Sequence, residues 1–264
     1  MQFQNEIVSN KLWASGPPAG GFFNFPGFSE NADLKSEGQT DFGVQRSAQP
    51  ICTGTSVVGL KFDKGVIIAA DKLVSYGSLA RFQDIDRVFA MNEKIIVGCG
   101  GDYADFQSIK RFLDEKIMTD ICYNDNIHMK PKSMYNFLTR VMYNRRSRFN
   151  PLWVDMIVGG MEDGTPFLGH VDLRGRAYQD SVVSTGFGKH LVLPLVREYM
   201  ENRVSITEDE AIKLVKKCME VLHYRDCRAS PKYTLAVCTS EKSEVLGPFT
   251  VGQNWQLATG VEGY

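Results

Sequence analysis

The chain has 264 residues, 43% of them hydrophobic, with 30 Lys and Arg against 31 Asp and Glu and a net charge of −1. So apolar a chain with so little net charge is not disordered, and a balanced charge argues against a general nucleic-acid binder, whose surface must be basic. No run approaches the roughly 20 apolar residues of a membrane-spanning helix, and the opening MQFQNEIVSNKLW lacks the basic and apolar regions of a secretory signal, so neither a membrane nor a nucleic acid is expected as partner.

Residues 1–46 contain GPPAGGFFNFPGF and hold neither a period of 2 nor one of 3.6. They read as an extension without a core of its own. A domain over 47–249 and a tail over 250–264 follow. The domain opens with a strand, Thr55 to Phe62, then the turn Asp63-Lys64-Gly65 and a buried strand, Val66 to Ala70, ending at Asp71. Lys94 to Cys99 is a further strand. It passes through Gly100-Gly101 into a helix with Asp102 as N-cap and Phe106, Ile109, Phe112 and Leu113 as its apolar stripe. A second helix starts near Ser133. Strands follow at Trp153–Gly160 and Phe167–Val171. One more helix comes after Gly186-Phe187-Gly188. The next opens with the capping box Thr207 to Glu210. A last hairpin pairs Tyr233–Cys238 with Glu244–Phe249. Hairpins dominate, so the expected fold is α+β, with two mainly antiparallel sheets between two helix layers.

The six cysteines have no CxxC spacing and read as thiols in a reducing compartment, not as disulfides or a metal site. Thr53-Gly54-Thr55 has two readings. It is a strand start with a glycine kink, or a cleavage point that frees an α-amine to act as base for the Thr55 hydroxyl. Asp71 at a strand end calls for a cation beside it. Gly100-Gly101 is a tight turn or an oxyanion site. Asp226, in Tyr224-Arg225-Asp226, is catalytic support or half of a helix-end charge pair. Arg145-Arg146-Ser147-Arg148 fits a helix C-terminus and a solvated face. No role falls to the four scattered histidines.

GTSVVGLKFDKGVIIAADKLVSYGSLARFQDIDR, VGCGGDYADF, NPLWVDMIVGG and YRDCRAS together resemble a β subunit of the eukaryotic 20S proteasome, and the likeness runs from about Gln49 to the C-terminus. The resemblance implies the four-layer αββα Ntn-hydrolase sandwich. It places the family's nucleophile on Thr55, its buried acid on Asp71, its oxyanion glycine on Gly101 and a later acid on Asp226. The family's lysine falls on Arg87, its supporting Ser-Gly-Ser turn falls on Phe187-Gly188-Lys189 with both hydroxyls lost, and a further serine falls on Ala229. An arginine stays protonated where a lysine can be tuned, and losing several members of one cooperative unit abolishes turnover. The resemblance therefore implies a non-catalytic structural subunit without cofactor or metal. Its partners would be other α and β subunits and assembly chaperones, in cytoplasm and nucleus. The alternatives are an active threonine peptidase using Thr55 and, more remotely, a free-standing amidase. By the same likeness, cleavage is expected between Arg46 and Ser47. The tail is expected to reach the opposite ring with Trp255 as anchor, or else to pack on its own domain.

Overall fold

The computed structural model describes residues 49–125, 127–201 and 203–256. The chain divides into Met1–Ser47 and Ala48–Tyr264. The extension, the Arg46–Ser47 cleavage point and residues 257–264 lie outside the described residues.

Thirteen strands make two sheets among the described residues, and every pairing is antiparallel. The first sheet has the order β10-β9-β8-β7-β1-β4-β5, with β6 also against β7. Its strands are β1 (Cys52–Gly54), β4 (Val74–Tyr76), β5 (Leu79–Phe82), β6 (Val88–Asn92), β7 (Ile95–Asp102), β8 (Val154–Glu162), β9 (Thr165–Val171) and β10 (Ala177–Gln179). The second has the order β11-β2-β3-β12-β13. It is built from β2 (Val57–Phe62), β3 (Gly65–Asp71), β11 (Val182–Ser184), β12 (Lys232–Thr239) and β13 (Ser243–Thr250).

The strand period of 2 sorts side chains into layers. On β3, Val66, Ile68 and Ala70 face the other sheet, where they meet Ile96, Ile157 and Leu168. Ile67 and Ala69 face the opposite way, onto Leu214, Val215 and Cys218 of helix α5 (Glu208–Arg225). On β7, Ile95, Val97 and Cys99 pack under α1 (Tyr103–Tyr123) and α2 (Pro131–Ser147). The second outer layer also holds α3 (Gly188–Leu191) and α4 (Leu193–Met200). The result is the expected helix–sheet–sheet–helix order. Gly98 lets the sheets approach closely, because a Cβ there would lie 2.6 Å from Ile68 and 2.7 Å from Val57.

Local signals set the helix starts. Asp102 caps α1, its carboxylate accepting from the Ala104 and Asp105 amides, and the Thr207–Glu210 capping box opens α5. Three expectations need correction. The second helix begins at Pro131, which suits a first helical position. Phe112 is half-exposed and outside the core. The domain does not end at 249, since β13 runs to Thr250 and Val251 is buried, donating its amide to the Pro231 carbonyl.

Candidate functional site

Thr55 lies between β1 and β2, where the chain passes from the first sheet into the second. Upstream, Gly54 pairs with Gly101 and Thr53 with Asp102 on one side, and the same residues pair with Val74 and Ser75 on the other. The residues before Thr55 therefore fill the space between β4 and β7 as an added strand. Asp102 ties them down further: the Oδ2 oxygen accepts the Ile51 amide at 2.7 Å while Oδ1 caps α1.

Arg87 occupies the centre of the site and is almost fully buried, with 1% exposure. A guanidinium has five N–H donors, and here all five are engaged. Nε donates to the Asp71 carbonyl at 2.9 Å. One terminal nitrogen donates to the carbonyls of Thr55 and Cys99, at 3.0 and 3.1 Å. The other donates to the Ser56 carbonyl at 3.2 Å and is ion-paired with the Asp71 carboxylate. Burial lowers the Arg87 pKa to about 10, which leaves it charged at neutral pH. The other Asp71 oxygen accepts the Ser230 amide at 3.0 Å, so this buried acid has the cation expected of it and a second partner as well.

The loop that delivers Arg87 is clamped from below. Lys72 is buried and its ammonium meets Asp84 at 2.8 Å and Asp86 at 3.0 Å. The paired acids, Asp84 foremost, hold it above its ordinary pKa. Gly54 is required by the same packing. A Cβ at that position would stand 2.6 Å from the Arg87 side chain.

The Thr55 hydroxyl donates to the carboxylate of Asp226, the residue that ends α5. The other Asp226 oxygen accepts the Arg228 amide at 2.9 Å. Gly101 adopts a left-handed φ of +94° and sits opposite Gly54, while Gly100 is the glycine against the Thr55 carbonyl. The structure thus gathers Thr55, Asp71, Arg87, Gly101 and Asp226. Ala229 lies at the edge, on the turn whose next residue holds Asp71, and donates its amide to the Asp226 carbonyl. Phe187 is not brought in: it is 59% exposed. Its neighbour Gly188 donates to Ser56 Oγ at 2.9 Å, so the glycine backbone meets the site and the phenyl ring does not.

Three contributors were not singled out in the sequence. Ser56 and Thr185 lock the start of β2, with Thr185 Oγ1 accepting the Val57 amide at 2.9 Å. Asp102 was read as a helix cap only. Nothing in the residue pattern ties Ile51 to it, because the two are 51 positions apart.

Trp255 is half-exposed and packs edge-on against Tyr224 and His223 of α5, with ring centroids 5.0 and 5.9 Å away. The Tyr224 hydroxyl accepts the Asn254 amide at 2.7 Å. Through Gln256 the tail lies on its own domain, and its course beyond falls outside the described residues.

Among the described residues, the site holds a positioned hydroxyl beside a carboxylate but no tunable amine. While the Gly54–Thr55 bond is intact, the Thr55 nitrogen is an amide, and Arg87 cannot take up a proton. Arg87→Met would leave Asp71 without its cation and strip donors from four carbonyls. It should cost about 3–5 kcal/mol in urea unfolding, the scale of a broken buried ion pair. A loss below about 1 kcal/mol would show that the guanidinium is not what holds the site together.

Comparison with known proteins agrees with this architecture. Residues 51–238 match the proteasome subunit family model. The chain is 49% identical to proteasome subunit beta type-4 of Drosophila melanogaster over 261 residues, 97% of either chain. It is 46% identical to the Xenopus laevis protein of the same name, over 84% of this chain and 91% of that one. To proteasome subunit beta type-7 of Saccharomyces cerevisiae it is 37% identical, over 82% and 85%. With two antiparallel sheets between helix layers, the fold is that of the Ntn-hydrolase sandwich, and the chain belongs to the proteasome subunit family as a β-type member.

Proposed function

We propose that this chain is a non-catalytic structural β subunit of the 20S core particle. Its work is to support β-ring assembly and the joining of half-particles in ATP- and ubiquitin-dependent protein degradation. It would act beside other α and β subunits and assembly chaperones, in cytoplasm and nucleus. One observation carries the reading. Arg87 stands where an active β subunit has lysine, and all five of its donors are committed to backbone and to Asp71. A charged, saturated guanidinium cannot shuttle a proton to or from Thr55. The residues before Thr55, held on both sides as β1, add to it by filling the adjacent groove.

A second reading has one observation in its favour. The Thr55 hydroxyl donates to the Asp226 carboxylate, an arrangement that would suit a nucleophile once Thr55 became the N-terminus. The mature N-terminus separates the two. Cleavage at Arg46–Ser47 keeps an overhang and fits the structural reading; a chain starting at Thr55 fits the peptidase.

Thr55→Ala in the assembled particle should leave every peptidase activity within error of the wild type, since no turnover depends on this hydroxyl. Loss of one activity with assembly intact would establish the peptidase instead. For assembly, removal of residues 257–264 spares Val251 and Trp255 and so spares the domain. Native gels should then show half-particles accumulating. Full particles formed at the normal rate would deny the tail a role in joining.

A further inference from the structure

A cavity of about 600 Å³ opens between the last turns of α1, the loop into α2 and the turns β6–β7 and β8–β9, and it shares no residue with the Thr55 site. A cavity of roughly 150 Å³ already holds a benzene ring, so this one has room for more than one large side chain. Its floor is apolar and adaptable, with Met91, Met129 and Met161 beside Ile117 and Ile121. The apolar surface continues past the rim. Ile121 is exposed there, as are Met118, three residues earlier on the same helix, and Ile127 in the loop.

The walls are fastened to one another. Asn92 donates its side-chain amide to the Met129 carbonyl at 3.4 Å, which ties the loop before α2 to the β6–β7 turn. Lys130 Nζ meets both Asp163 oxygens, at 2.8 and 3.1 Å, which ties the start of α2 to the β8–β9 turn. Gly160 lies so close under Pro131 that a Cβ on it would be 2.6 Å from the proline ring. A site with walls already set loses little to ordering when it is filled.

The rim is acidic. Glu93, Asp120, Glu162 and Asp163 line the cavity against Lys94 and Lys130, an excess of two negative charges. Lys130 is already committed, since Asp163 and, more weakly, Glu162 hold its ammonium above the ordinary pKa. Lys116, four residues before Asp120, sits over the Phe137 ring instead, 5.4 Å from the centroid. Glu93 and Asp120 are therefore left without an ion-pair partner among the described residues.

We propose that this cavity receives a segment of a partner polypeptide that presents a large apolar side chain, leucine or phenylalanine, next to lysine or arginine. The apolar side chain fills the methionine-lined floor. The basic one meets Glu93 and Asp120 at the rim, where opposite charge fixes register and partner choice. An acidic segment would meet like charge there and is rejected.

The test is fluorescence anisotropy of the full chain at low salt with the labelled peptide Gly-Lys-Leu-Phe-Lys-Gly. This peptide should bind at least tenfold more tightly than Gly-Glu-Leu-Phe-Glu-Gly, and at least tenfold more tightly than Gly-Lys-Ala-Ala-Lys-Gly. The variant E93K/D120K should lose at least tenfold and Ile121→Ser at least threefold. The control E198K/E220K, on α4 and α5, should bind as the wild type does. Should the charge reversal fail to fold by circular dichroism, E93Q/D120N takes its place, with a loss of at least threefold expected. No binding of the Lys-Leu-Phe-Lys peptide, equal affinity for the glutamate or the alanine peptide, or an equal loss in the control would each overturn the proposal.

Discussion

The Arg87 guanidinium joins three strands drawn from both sheets. It binds the end of β3 through Asp71, the entry to β2 through the carbonyls of Thr55 and Ser56, and the middle of β7 through Cys99. β2 and β3 belong to one sheet and β7 to the other, so one side chain fixes how the two sheets meet at the site. A buried cation is tolerable only when each donor is met and a counter-charge is adjacent. Both conditions hold here. The interaction that stabilises the junction is also the one that removes a titratable amine from beside Thr55.

Other features of the site follow from accommodating that group. Residue 54 must be glycine, because the arginine stem occupies the space of a side chain. The loop before Arg87 is clamped by Lys72 with Asp84 and Asp86. With the Thr55 carbonyl held from one side, the hydroxyl turns to Asp226 at the end of α5, which links the second helix layer to the same point. The groove between β4 and β7 is closed by the chain's own preceding residues, tied back through Asp102.

Much of this was legible where the signal was local. The apolar run of β3, the cap at Asp102 and the capping box at Thr207 each carry their own chemistry within a few residues, and each formed as read. Strands β1, β4, β5, β6, β10 and β11 were not read. They are short, and several are exposed, as β5 is throughout, so no alternation marks them. The site was legible by resemblance more than by pattern. Asp71 announced its need for a cation, but Arg87 as that cation depends on a pairing across 16 residues. Phe187 is matched by resemblance alone, and its side chain is largely exposed. Trp255 has two readings in the sequence, an anchor in the opposite ring or a contact with its own domain, and within the described residues it packs edge-on against Tyr224. Aromatic contact between sequence-distant residues leaves no periodic trace.

We propose that Arg87 disables Thr55 even when its amine is free. The direct measurement uses a chain released from a ubiquitin fusion so that it begins at Thr55, assembled into the particle and exposed to a peptide epoxyketone, which forms a covalent adduct with a competent N-terminal threonine. Intact mass spectrometry should return this chain unmodified. An adduct on Thr55 would contradict the account.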